Sequence, residues 1–98
     1  MSHFMADITL PRHFDEEFIS LIPSQRAHVN ALAERGTVTS YSLSLDRSRL
    51  WVTLDAASEQ EAMEIMYTFP LFRYFQVRLY PLTFHHMSMM SLIKVSLN

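Results

Sequence analysis

A chain of 98 residues that is 49% hydrophobic and 12% aromatic has enough apolar mass for one domain around one core, and too much for a disordered chain. Its formal charge of −2 leaves no basic excess to neutralise phosphates, which argues against a nucleic-acid partner. The absence of cysteine and the single glycine, Gly36, exclude disulfides, thiolate metal sites, a cysteine nucleophile and the glycine-rich phosphate loops of nucleotide-binding proteins.

The first residues, Met1 to Asp7, carry no basic leader pattern, and no apolar run approaches the roughly 18 residues that span a bilayer. A cytoplasmic protein with no membrane partner is expected. From His3 to Leu10 apolar residues alternate, with Phe4, Ala6, Ile8 and Leu10 on one face, which is strand periodicity. Pro11 ends the strand. Asp15 to Arg35 reads as a helix, because Phe18, Leu21, Ile22, Val29 and Leu32 recur at steps of three and four. Asp15, Glu16 and Glu17 suit the positive end of its dipole, and Gly36 suits its C-terminal cap. Pro23 is expected to kink this helix or split off a short first piece.

Thr37 to Leu45 and Arg49 to Asp55 read as a hairpin turning at Asp46-Arg47-Ser48. Ser58, with Glu61 three residues on, forms a capping box for a second helix with Ala62, Ile65 and Met66 on its apolar stripe. A last strand is expected from Tyr74 to Tyr80. The order β-α-β-β-α-β predicts an α+β, ferredoxin-like fold with helices on one face of a four-stranded antiparallel sheet. Met5, Trp51, Tyr74 and Tyr80 would then line the uncovered face beside Asp7, Gln76 and Arg78. An apolar face of that kind marks an interface, so a homodimer or larger homo-oligomer built as a dimeric α+β barrel is expected. The domain spans residues 1–86. Residues 87–98 form an apolar, methionine-rich tail expected to dock on its own or a neighbouring subunit.

Several landmarks fall in a characteristic order. They are Asp7-Ile8-Thr9-Leu10-Pro11, Leu32 with Gly36, Asp55 with Ser58, Pro70-Leu71-Phe72, Tyr74, Pro81-Leu82 and His85. In that order and spacing the chain resembles the muconolactone delta-isomerase family over roughly residues 3 to 86. The resemblance implies a ferredoxin-like homo-oligomer that shifts a double bond in a small carboxylated lactone by moving a proton, with no metal or organic cofactor. Such a reaction needs a base beside the acidic C–H and a group that stabilises the enolate. The family carries a glutamate where this chain has Gln25, and a Trp-Pro-His…Trp-Arg stretch where this chain has Val38-Thr39-Ser40-Tyr41-Ser42-Leu43. An amide does not titrate, so the usual catalytic positions are not retained.

The residues left for proton transfer are His28, Asp7 and His85. Gln25 lies on the apolar stripe between Ile22 and Val29, where it either lines a pocket or is a core amide satisfied by backbone or water. Arg26 and Arg78 are candidates to hold a substrate carboxylate, and Arg78 could instead pair with Asp7 across neighbouring strands. Tyr41, Trp51 and Tyr74 form either an aromatic wall for a small organic acid or part of the dimer core. His85 and His86 are adjacent, but the five histidines show no metal spacing, so no metal is expected. Two further readings are a non-catalytic binding or assembly protein and, by analogy of fold alone, a cofactor-free monooxygenase.

Overall fold

A computed structural model describes residues 2–86, so the expected tail at 87–98 lies outside the described residues. The elements are β1 (Ser2–Thr9), α1 (Glu16–Glu34), β2 (Val38–Leu43), β3 (Arg49–Ala56), α2 (Glu59–Tyr67), a 3-10 turn (Phe72–Tyr74) and β4 (Gln76–Leu82). The four strands form one antiparallel sheet in the order β2-β3-β1-β4. This is the ferredoxin-like plan expected from the element order.

The strand alternation sorts residues between two faces. Phe4, Ala6 and Ile8 of β1 and Val52 and Leu54 of β3 are buried against Val29 and Leu32 of α1 and Ala62 and Met66 of α2. Leu50, Phe75, Val77 and Leu79 pack at the edges of the same core. The other face carries Met5, Trp51 and Tyr80, the last two 37% and 44% exposed.

The helix ends follow the sequence chemistry. Asp15 caps α1, its Oδ1 accepting the Phe18 N–H at 2.7 Å. At the other end Gly36 takes φ +79°, and the Thr37 N–H reaches the Leu32 carbonyl at 2.9 Å. That reversal leaves the helix in the left-handed conformation glycine adopts without strain. Ser58 caps α2 by accepting the Glu61 N–H at 3.1 Å, while the Glu61 carboxylate accepts from the Ala57 N–H at 3.0 Å.

Two expectations need correction. Of the two outcomes expected at Pro23, a kink or a split, the split does not occur, since α1 runs unbroken from Glu16 to Glu34 with Pro23 inside it. The last strand does not begin at Tyr74. The amides of Phe72, Tyr74 and Phe75 donate to the carbonyls of Phe69, Leu71 and Phe72, closing a 3-10 turn that delays β4 to Gln76. Tyr74 therefore leaves the sheet. Its ring meets Phe18 edge-on at 5.1 Å and its hydroxyl donates to Asp15 Oδ1 at 3.3 Å.

The β2–β3 turn is held by Asp46, whose Oδ1 accepts from the Ser48 hydroxyl at 2.7 Å, the Ser48 N–H at 3.0 Å and the Ser44 hydroxyl at 2.8 Å. Those donors, Ser48 foremost, lower its carboxyl from 3.8 to about 2. A carboxyl depressed in the folded state stabilises above its unfolded value and loses that contribution as pH falls through the folded one. The advantage of the native protein over Asp46→Asn is therefore expected at neutral pH, to shrink between pH 3.8 and about 2, and to vanish below. Acid unfolding of both proteins, followed by circular dichroism, checks this. An advantage that is flat across the window would contradict it.

Candidate functional site

The helix-facing side of the sheet is not filled to its edge. Between α1, the β2–β3 hairpin and the start of the 3-10 turn lies a cavity of about 410 Å³. Its deep end is formed by Phe18, Gln25, Val29, Val52 and Leu71, all buried. Its mouth is formed by Ile19, Arg26, Tyr41, Leu43 and Arg47, all exposed. Leu10, Phe14, Ile22, Leu50 and Phe75 complete the wall between the two.

Gln25 is 8% exposed and is the polar group at the deep end. Its Oε1 accepts the Leu71 N–H at 3.0 Å, and its Nε2 has no partner among the described residues. Arg26 follows it on α1 and places a guanidinium at the mouth. Tyr41 reaches the same mouth from β2 because it pairs with Val52, so that it shares the helix-facing side of the sheet. Arg47 comes from the hairpin turn and stands at φ +62°, in the left-handed region that a side chain adopts only at a cost. The cavity is thus apolar along its length, with a neutral amide inside and two cations outside.

The other expected site residues lie elsewhere. His28 packs edge-on against Phe69 at 5.6 Å, and its Nε2 lies 2.7 Å from the Thr68 hydroxyl. Since that hydroxyl donates to the Ile65 carbonyl at 2.6 Å, it accepts from the Nε2–H, and His28 links α1 to the end of α2. Asp7 is on the open sheet face. Arg78 stands opposite it in register, yet the ion pair of Asp7 is with Arg49, at 2.9 Å. The Tyr80 hydroxyl beside Arg78, more than the Asp7 charge, raises the Arg78 pKa. Asp7, Arg49, Arg78 and Tyr80 border a polar depression on this face.

His85 also lies over the open face. It packs on His3 with ring centroids 5.1 Å apart and sits 3.4 Å from the Thr39 hydroxyl. Thr39 and Ser40 in turn hold the buried Thr53 hydroxyl at 2.7 and 2.6 Å. The expected aromatic wall is not assembled. Tyr41 is at the cavity mouth, Trp51 is on the opposite face of the sheet, and Tyr74 is against the start of α1. Of the expected site residues, the cavity brings together Gln25, Arg26 and Tyr41, and it does not include His28, Asp7, His85, Trp51, Tyr74 or Arg78.

Arg47 was not anticipated from the sequence, nor were Phe14, Ile19, Leu43 and Leu71 as lining residues. Phe14, Phe18 and Ile22 do fall four residues apart, a spacing that reads as core as readily as cavity wall. Nothing local in the sequence signals Arg47. Among the described residues no group of three or more metal-ligating side chains is gathered, and no helix is long and apolar enough to cross a membrane.

The comparisons with known proteins bear on the scaffold that carries this cavity. No curated protein sequence matches the chain. Among solved structures, the crystal structure of muconolactone isomerase superposes with a TM-score of 0.71 at 20% identity, covering 89% of this chain and 94% of that one. At such identity the likeness is one of fold. The family model described as muconolactone delta-isomerase matches residues 3–88, nearly the whole sequence, and so the chain belongs to the muconolactone delta-isomerase family.

Proposed function

We propose that the cavity between α1 and the hairpin is the ligand site, and that the protein holds there a small carboxylated or cyclic organic compound. The observation that carries this reading is the cavity itself, about 410 Å³ of mostly apolar lining with the buried Gln25 in its wall and Arg26 and Arg47 among its exposed residues. The apolar walls suit a ring or short chain, and Arg26 and Arg47 at the mouth suit a carboxylate that stays near water. Titration of the protein with cyclohexanecarboxylate, followed by amide NMR, is expected to shift residues of α1 and the hairpin turn. Trp51, on the far side of the sheet, should be silent. Shifts confined to the open face would contradict the assignment.

The family membership supports a cofactor-free proton transfer as the reaction, of the kind that isomerises muconolactone. The titratable side chains lining the cavity within one chain are Arg26, Tyr41 and Arg47, and none is a carboxylate or imidazole poised as a base at neutral pH. Binding is thus supported further than catalysis. Turnover of muconolactone by purified protein would establish the isomerase, and no turnover at high enzyme concentration would remove that reaction while leaving the ligand site.

Arg47 separates ligand charge from scaffold stability. Replacement by glycine relieves the left-handed backbone and removes the guanidinium. Arg47→Gly is expected to leave stability within about 1 kcal/mol and to weaken cyclohexanecarboxylate roughly fivefold, with a neutral analogue such as cyclohexanone unaffected. Equal losses for both ligands would show that Arg47 shapes the mouth and does not act by charge.

Self-association through the open sheet face belongs to the same proposal. Trp51 and Tyr80 are exposed there beside Met5, an arrangement that packing against a second sheet would cover. Light scattering at micromolar concentration is expected to give at least twice the 11.5 kDa chain mass, and a monomer mass would sink the idea.

A further inference from the structure

We infer that the cavity selects monocarboxylic acids whose far end is bare hydrocarbon, and turns away compounds that carry a second polar function. The inference rests on the cavity being the ligand site and goes further, to the class of compound that fits it from end to end. Among the described residues, the deep end holds no hydrogen-bonding group free for a ligand. Phe18, Val29, Val52 and Leu71 present hydrocarbon side chains. Gln25 is the polar residue beside them, yet its Oε1 accepts the Leu71 N–H at 3.0 Å and its Nε2 has less than 1 Å² of accessible surface. The backbone there is committed as well. The Leu71 N–H goes to Gln25, and the Leu71 carbonyl accepts the Tyr74 N–H at 2.9 Å. The Phe18 N–H goes to Asp15, Val29 lies within α1, and Val52 is paired on both sides, with Ala6 and with Tyr41.

The mouth is the reverse. Arg26, Tyr41 and Arg47 are exposed there, and neither arginine is in an ion pair among the described residues. A carboxylate set at the mouth keeps part of its water and gains a cation. Between the two ends the wall is Leu10, Phe14, Ile22, Leu50 and Phe75, so the path inward is hydrocarbon throughout. An acid therefore binds with its charge outward, and the group at its other end decides its affinity. A methyl group there gains by leaving water. A hydroxyl or keto oxygen loses its hydration and finds no partner. A second carboxylate fares worse, because it becomes an unpaired buried charge. Turning the molecule round helps neither kind of compound: a hydroxy acid then buries its carboxylate, and a diacid buries one in either direction.

The test compares the para-methyl, para-hydroxy and para-carboxy derivatives of cyclohexanecarboxylate by amide NMR titration of the full wild-type chain. Methyl and hydroxyl are close in size, so the first two compounds differ mainly in polarity. The para-methyl acid is expected to bind roughly tenfold more tightly than the para-hydroxy acid. It is expected to bind roughly a hundredfold more tightly, or better, than the diacid. Position is the second readout, because any apolar surface would favour a methyl group. Shift differences between the para-methyl acid and unsubstituted cyclohexanecarboxylate are expected at the amides of Val52 and Leu71, at depth, and not at those of Leu43 and Arg47, at the mouth. Equal affinity for the methyl and hydroxy acids, a diacid that binds as well as the methyl acid, or differences confined to the mouth overturns the inference and leaves the cavity as the ligand site. Failure of all three compounds to shift α1 and the hairpin overturns the ligand-site reading itself.

Discussion

Replacing Leu54 by alanine is expected to destabilise the protein by about 3 kcal/mol, within the range measured for buried leucines. Leu54 is fully buried in β3, one of the two inner strands, opposite Phe4 of β1 and Val38 of β2. Its neighbours on two sides are backbone-paired strands that cannot collapse into the space left behind, so the cost has both a transfer and a cavity component. For a domain of this size each kcal/mol lowers the melting temperature by roughly 4–8 °C, which puts the variant about 12–24 °C below the parent. Differential scanning calorimetry measures it directly. The matched control is Leu45→Ala in the hairpin turn, where the side chain is entirely exposed and the expected change is within about 0.5 kcal/mol. Similar losses at both positions would mean that the buried set is not the stabilising core.

The same strand shows why so much of the fold is legible in the sequence. Leu50, Val52 and Leu54 alternate with Trp51, Thr53 and Asp55, and the period of two alone assigns their faces. Cap chemistry is equally local, since Ser58 and Glu61 act within one turn of each other. The failures come where a local tendency competes with a nearby alternative. Phe72, Arg73 and Tyr74 are rich in strand-favouring aromatics, yet the chain leaving α2 closes a 3-10 turn first. Tyr74 is thereby turned from the sheet to Asp15 and Phe18.

Ion pairing fails for a related reason. Register places Arg78 opposite Asp7, but β1 is an inner strand with a neighbour on each side. Arg49 reaches Asp7 along the diagonal from its own partner, Thr9. Sequence order states which strands are neighbours and leaves open which of two arginines a carboxylate will take. The site divides in the same way. Gln25 is visible as a polar interruption in an apolar helical stripe, whereas Arg47 reaches the cavity through the closure of a distant hairpin that no spacing encodes.

Filling the cavity separates its role from that of the core beside it. Ile22 lies on α1 between the deep end and the mouth and is half-buried, so a larger side chain there can grow into open space and need not displace packed neighbours. Ile22→Trp is expected to weaken binding of cyclohexanecarboxylate strongly, raising its dissociation constant by about tenfold or more, because the indole projects from the cavity wall between the deep end and the mouth. Stability is expected to change by less than about 1.5 kcal/mol, since overpacking costs more than that chiefly where no void receives the new atoms. The two measurements must be read together. Weakened binding with an unchanged melting temperature assigns the cavity as the ligand site. Retained binding in a folded Ile22→Trp protein places the ligand elsewhere, and the polar depression around Asp7, Arg49 and Arg78 on the opposite face would be the next surface to block.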